Sequence, residues 1–197
     1  MEVTYLDRRT LLTYFKDPPT LTTERLKLRK ILKTDSEDYF EFASDPAVTK
    51  YLLWKPHDSF NFTRHYLSYL QGRYRAGEFY DWGIVDLASG KFIGTCGFTS
   101  FDLTNNSAEV GYVLSRGWWH RGIAAEALTR VLDFGFNTLG LRRIEARYMA
   151  DNESSRRVME KVGMVFEGIR RDALLLDGVY ISVGTCAILN DEFKYRS

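Results

Sequence analysis

Three short apolar segments with turn signals between them constrain this chain more than anything else in it. DWGIVDL, KFIGTCGFTSF and AEVGYVL, spanning residues 81–114, are separated by Ala88-Ser89-Gly90 and by the polar Thr104-Asn105-Asn106. Segments of strand length, rich in β-branched and aromatic residues and joined by so few residues, pair with each other as an antiparallel meander. Around them the pattern alternates. RLKLRKIL (25–32) sets Leu26, Leu28 and Ile31 against basic residues, the period-two signature of a half-buried strand. Thr34 and Glu37 form a capping box ahead of a first helix, and Tyr66, Leu70 and Tyr74 recur at helical spacing in a second, over 61–77. After the meander, Glu126 to Leu139 presents a wide apolar helical face that ends at Gly140. A strand (RRIEARYMA), a short helix (153–162) and two long strands joined at Asp177-Gly178 complete the chain. The expected fold class is α+β, a mixed and mostly antiparallel central sheet of about seven strands with about four helices. Residues 1–20 end at Pro18-Pro19 and read as an N-terminal arm to one domain over 21–197.

A chain of 197 residues buries a core without disulfide or metal staples. Lys and Arg number 27 against 26 Asp and Glu, and this balance gives no electrostatic reason to expect direct nucleic-acid or membrane binding. Cys96 and Cys186 have no metal-ligand spacing and read as core residues of a reduced compartment. With no apolar run of membrane-spanning length and no signal-peptide pattern at the start, the expected location is the cytoplasm. His57, His65 and His120 are scattered, and none is read as a metal ligand.

The chemistry is concentrated in SRGWWHRGIAAEAL (115–128), where a strand runs through a glycine-containing turn into a helix. The first N–H groups of a helix have no internal partner and sit at the positive end of its dipole, a ready site for an anion. Gly122, Ala124 and Ala125 leave such amides bare, and Arg116 and Arg121 stand near in sequence as counter-charges. DNESSRRVMEKVGM (151–164) repeats the arrangement one strand later, with Asn152 at the N-cap and Ser154 and Ser155 in the first turn.

At these residues the chain resembles the GNAT acetyltransferase superfamily, and within it the branch of ribosomal-protein N-terminal acetyltransferases known as RimJ and RimL. The resemblance runs from about Leu21 to Leu189 and rests on TERLKLRK, AEVGYVL, WHRGIAAEAL, the Asn-x-x-Ser helix ending in Lys161-x-Gly163, and EGIRRDALLLDG. It implies a GNAT fold whose fourth and fifth strands splay apart, and acetyl-CoA as co-substrate with no metal. The family signature, Gln or Arg, two residues, Gly, one residue, then Gly or Ala, falls on Trp119, Gly122 and Ala124. Its backbone amides, from His120 through Arg121, Gly122, Ile123 and Ala124 to Ala125, are the implied pyrophosphate contacts. Tryptophan at 119 departs from the signature, but the amides carry the binding. By the same resemblance Val113 and Leu114 on the splayed strand, with Asn152, hold the pantetheine arm, and Ser155 lies near the sulfur. The tyrosine that many members use as acid is replaced by Met159, which leaves Ser155 to stabilise the departing thiolate.

Amine acetylation needs a neutral amine, so a base or ordered water must take up a proton. Glu109 is the implied base, expected to be walled by Tyr112 and Trp82 with its pKa raised. A strand N–H polarises the carbonyl. The acceptor is expected between YLLWKPHDSF (51–60) and the hairpin from Leu174 to Tyr180, in an aromatic groove to which Trp54, Trp82 and Tyr180 contribute. Ser182 replaces an acidic residue usual in relatives. The implied function is direct acetyl transfer to a primary amine, either a protein N-terminus or a small amine such as a polyamine, amino acid or antibiotic. A non-catalytic CoA-binding module is the alternative of another class, and a homodimer is compatible with the resemblance.

Overall fold

A computed structural model describes residues 6–194. The helices are α1 (Arg8–Phe15), α2 (Ser36–Ala43), α3 (Pro46–Thr49), α4 (Phe60–Ala76), α5 (Ile123–Asp133) and α6 (Glu153–Lys161). The strands are β1 (Leu21–Thr22), β2 (Leu26–Arg29), β3 (Tyr80–Asp86), β4 (Phe92–Asp102), β5 (Ser107–Leu114), β6 (Arg143–Met149), β7 (Val165–Leu176) and β8 (Val179–Leu189). They form one sheet in the order β1-β2-β3-β4-β5-β6-β8-β7. The meander β3-β4-β5 is antiparallel as its turns require, and β5 with β6 is the one parallel pair among these strands. Asp177 and Gly178 both adopt positive φ, 48° and 82°, the geometry of a two-residue hairpin turn between β7 and β8.

Each face of the sheet has its own core. On one, Trp82, Ile84, Phe98 and Val110 meet Ala127, Leu128 and Val131 of α5 and Met159 of α6. On the other, Phe92 and Val85 meet Tyr39 and Phe42 of α2 and Leu67, Leu70 and Tyr74 of α4.

The described part of the N-terminal segment contains helix α1. Asp7 caps α1 by accepting from the Thr10 N–H at 2.7 Å. Phe15, 1 % exposed, lies edge-on to Tyr80, Trp82, Phe98 and Phe134. Leu11 and Phe15 thus build the helix into the core. The capping box at Thr34 is also replaced: residues 33–35 form a 3-10 turn, and Asp35 fastens the start of α2 by accepting from the Leu32 N–H at 2.7 Å while pairing with both terminal nitrogens of Arg29. The helix expected over 126–139 starts at Ile123 and loosens after Asp133 into a π-helical turn, Phe134–Thr138.

Candidate active site

The site is built where β5 and β6 part company. Their pairing runs from Ser107 with Arg143 to Val110 with Ala146 and stops, although β5 stays paired with β4 as far as Leu114. Residues 111–114 therefore carry an edge with no strand on the β6 side. Below this fork the chain turns through Arg116–Trp118 into α5. The first backbone bond of that helix is Glu126 N–H to the Gly122 carbonyl at 3.0 Å, so the N–H groups of Ile123, Ala124 and Ala125 have no intrahelical acceptor. Gly122 has φ 76° and ψ 2°, a left-handed conformation that suits glycine, and His120 also has positive φ, 60°. The loop is fixed by its bulky members. Trp119 Nε1 donates to the Leu114 carbonyl at 2.7 Å, and the Arg121 guanidinium lies 5.3 Å over the Trp118 ring.

Fork and helix start open into one cavity of about 630 Å³. Its walls include Val113, Leu114, Trp119, His120, Gly122, Ile123, Ala124, Ala125, Asn152 and Ser155, which brings together ten of the eleven residues implied as cofactor contacts. The exception is Arg121, whose side chain is stacked on Trp118. Arg116 is likewise occupied elsewhere, 3.0 Å from Asp45 at the N-cap of α3. The cations that do converge on the turn are Lys161 and Arg25. A Cβ placed on Gly122 would lie 3.6 Å from Lys161 Nζ and 3.7 Å from Arg25 Nη2. Lys161 also lines the cavity. Ala47, Val48 and Lys50 also line the cavity and were not anticipated, although Asp45-Pro46 is an N-cap followed by proline at N1 and signals a helix start there.

On the α6 side of the cavity, Asn152 Oδ1 accepts from the Ser155 N–H at 3.2 Å, which leaves its NH₂ as the group available to a ligand. Tyr112 was not among the implied contacts, yet it reaches across the fork to α6. Its phenol is 2.8 Å from both the carbonyl oxygen and Oγ of Ser155. Burial pushes the Tyr112 hydroxyl up, against a downward pull from Ser155, so it remains a proton-bearing donor at neutral pH. Met159 is buried in the core, 1 % exposed.

Glu109 stands at the fork in different company from that expected. Side chains alternate along β5, so Glu109 lies on the opposite face from Tyr112. Its carboxylate is instead paired with Arg147, the first β6 residue beyond the last paired position, and holds that guanidinium above its usual pKa. Trp82 is not an acceptor-groove residue at all. It is fully buried, its indole donates to the Pro19 carbonyl at 2.8 Å, and it packs against Phe15 and Phe134. Its position in β3 turns it toward α5, a direction that a strand pattern alone does not reveal. Trp54 lines a separate cleft of about 370 Å³ with Tyr39, His57, Phe62 and Tyr66. Tyr180 is 65 % exposed on β8. The two segments expected to flank the acceptor do meet, through Lys55 and Asp177 at 3.1 Å. One further buried acid was not anticipated: Asp81 Oδ1 has no hydrogen-bond partner, and burial pushes this carboxyl up to about 7 despite hydrogen bonds from Thr95 and the Trp82 backbone.

A forked sheet edge beside the bare start of a helix is a frame suited to an extended ligand with an anionic end. Comparison with known proteins agrees. Residues 25–165 match the model of the acetyltransferase (GNAT) domain. The chain is 34 % identical over 174 residues to the Bacillus licheniformis protein named "Uncharacterized N-acetyltransferase p20", covering 88 % of this chain and 98 % of that one. It is 28 % identical over 167 residues to the Escherichia coli [ribosomal protein uS5]-alanine N-acetyltransferase, covering 80 % of this chain and 84 % of that one. A GNAT-family acetyltransferase structure from Bacillus anthracis superposes with a TM-score of 0.80 at 27 % identity, covering 88 % of this chain and all of that one. The chain belongs to the GNAT family of N-acetyltransferases. The likeness to the RimJ and RimL branch is consistent with ribosomal-protein acetyltransferases among its relatives.

Proposed function

We propose that this protein transfers the acetyl group of acetyl-CoA to a primary amine, with a protein N-terminus as acceptor. The observation that carries the reading is the single cavity joining the unpaired β5 edge, the bare amides before α5 and the Ser155 hydroxyl. The residues present fit such a co-substrate: the Lys161 ammonium stands beside Gly122 where an anion needs it, and the cavity volume lies in the range of small-molecule sites. Acetyl-CoA supplies its acetyl group already activated as a thioester, so an amine replaces sulfur on the acyl carbon directly and no covalent bond to the protein forms.

The chain's own groups then have distinct tasks. The amides of Ile123 to Ala125 and the Lys161 ammonium hold the pyrophosphate. The free edge of β5 and the Asn152 NH₂ hold the pantetheine arm. Glu109, paired with Arg147 at the fork, receives the amine proton through an ordered water. Ser155 donates a hydrogen bond to the departing thiolate while its Oγ accepts the single proton of the Tyr112 phenol. The uS5-alanine specificity of a relative supports a protein N-terminus as acceptor.

Isothermal calorimetry with acetyl-CoA tests the cavity assignment. Thiol release measured with peptides beginning in Ala or Ser, and with polyamines, amino acids and aminoglycosides, tests the acceptor. Turnover on peptides alone supports the reading as stated. Turnover on small amines alone moves the function to that class, and binding without turnover on any acceptor makes the protein a CoA-binding module. No binding of acetyl-CoA removes the assignment altogether.

A further inference from the structure

Glu126 is oddly placed for a phosphate site. It lies in the first turn of α5, where a carboxylate competes with an incoming anion for the positive end of the helix. Its charge, however, is fully engaged. Oε1 accepts from Thr23 Oγ1 at 2.5 Å and from the Arg25 N–H at 3.0 Å, and Oε2 accepts from Arg25 Nε at 2.7 Å and Nη2 at 2.6 Å. The remaining guanidinium nitrogen, Nη1, donates to the Arg121 carbonyl at 3.1 Å. That carbonyl belongs to the peptide unit that carries the Gly122 N–H, and in a trans peptide the two groups point in opposite directions. Glycine is the residue that most easily allows such a unit to turn over, which would present an oxygen to the anion in place of a hydrogen. Something outside the turn must hold it.

We propose that Arg25 is a positioning residue for the pyrophosphate: clamped by Glu126 and Thr23, it fixes the Arg121–Gly122 peptide so that the cradle presents N–H groups before ligand arrives. Glu126 then promotes anion binding although it is itself an anion. The inference rests on the cavity taking acetyl-CoA, and wild-type calorimetry separates the two: absence of wild-type binding defeats that reading, whereas the comparisons below defeat only the role of Arg25. Affinity is measured for acetyl-CoA and for S-acetylpantetheine, which lacks the pyrophosphate, in wild type, Glu126→Gln, Arg25→Gln, Arg25→Lys and the Arg25→Gln/Glu126→Gln double variant, each checked by thermal unfolding.

Each single variant is expected to weaken acetyl-CoA about tenfold, the scale of a lost charge-assisted hydrogen bond, and to leave acetylpantetheine within about twofold. The double variant is expected to be no weaker than the singles, because both act on one peptide. Lysine keeps the charge but cannot grip a carboxylate and a carbonyl together, so Arg25→Lys is expected to fail as Arg25→Gln does. Tighter or unchanged acetyl-CoA binding in Glu126→Gln overturns the proposal, because simple charge repulsion then governs. Parallel losses for both ligands overturn it as well, because a general loss of structure then accounts for the effect. Should the glutamine variants fail to fold, Arg25→Lys and Thr23→Val carry the same comparison.

Discussion

Ser155 and Asp81 show how neighbours decide what one side chain does. Removing the Ser155 hydroxyl leaves the Asn152 cap and the Tyr112 bond to the Ser155 carbonyl in place, since both use backbone atoms. Ser155→Ala is therefore expected to lower kcat by about 100-fold, with the KM for acetyl-CoA within about threefold, in a steady-state thiol-release assay. Asp81 bears on stability. Its carboxyl holds a proton up to about pH 7 in the folded protein but releases it near pH 4 when unfolded, where carboxylates have ordinary pKa values. Between those values the folded state binds more protons, so this residue's contribution to stability falls as pH rises from about 4 to about 7. Asp81→Asn removes that dependence. Its chemical unfolding midpoint should match wild type at pH 4.5 and correspond to about 2 kcal/mol more stability at pH 8. A wild-type advantage at pH 8 would show that the ionised carboxylate is well accommodated.

At the scale of elements, the turn into α5 and helix α1 carry opposite kinds of commitment. The turn leaves helix-start amides without an intrahelical acceptor while its tryptophans pack against the cores. Gly122→Glu places a carboxylate near Lys161 Nζ and forces a side chain into a left-handed backbone, at a cost of about 1–2 kcal/mol in stability. Acetyl-CoA affinity should fall at least tenfold in calorimetry while the protein stays folded. Helix α1 is shaped for the core, since five aromatic rings surround Phe15. Phe15→Ala should cost about 3–5 kcal/mol in denaturant unfolding, the range for an emptied aromatic site. A change below 1 kcal/mol would show that α1 contributes little to the core.

Over the whole molecule, the cavity lies where the two cores approach each other. Val113 and Trp119 pack against the α2/α4 core, whereas Leu114, Ile123 and Tyr112 belong with the α5 core. A ligand seated there contacts both layers and is absent from the unfolded chain, so it stabilises the entire fold by mass action. At about 100 times its Kd, acetyl-CoA should add about 2.7 kcal/mol and raise Tm by roughly 5–10 °C in a thermal shift measurement. An unchanged Tm at that concentration would place binding outside the folded core. The ion pair of Lys55 with Asp177 joins the acceptor-side loop to the β7–β8 hairpin across the same end of the sheet, although both partners are exposed and the pair is worth little by itself.

Periodicity and turn chemistry are local, and the sequence by itself determined what depends on them. The meander, the amphipathic α5 and α6, the Asp177-Gly178 hairpin and the glycine turn into α5 were all legible in it. The helix-start residues Asn152 and Ser155 could be found for the same reason: a helix N-terminus is specified within four residues. Direction across the sheet is not local. Whether Trp82 faced a groove or the core, and whether Glu109 met Tyr112 or Arg147, depended on which helices cover which face. The counter-charges show the limit most clearly. Arg116 and Arg121 stand beside Gly122 in sequence, but packing gives them to Asp45 and Trp118, and it brings Arg25 and Lys161 from distant elements to the Gly122 turn instead. Tertiary structure decided those partners because charged side chains pair with whatever the packed backbone brings within reach, and sequence distance does not measure that reach.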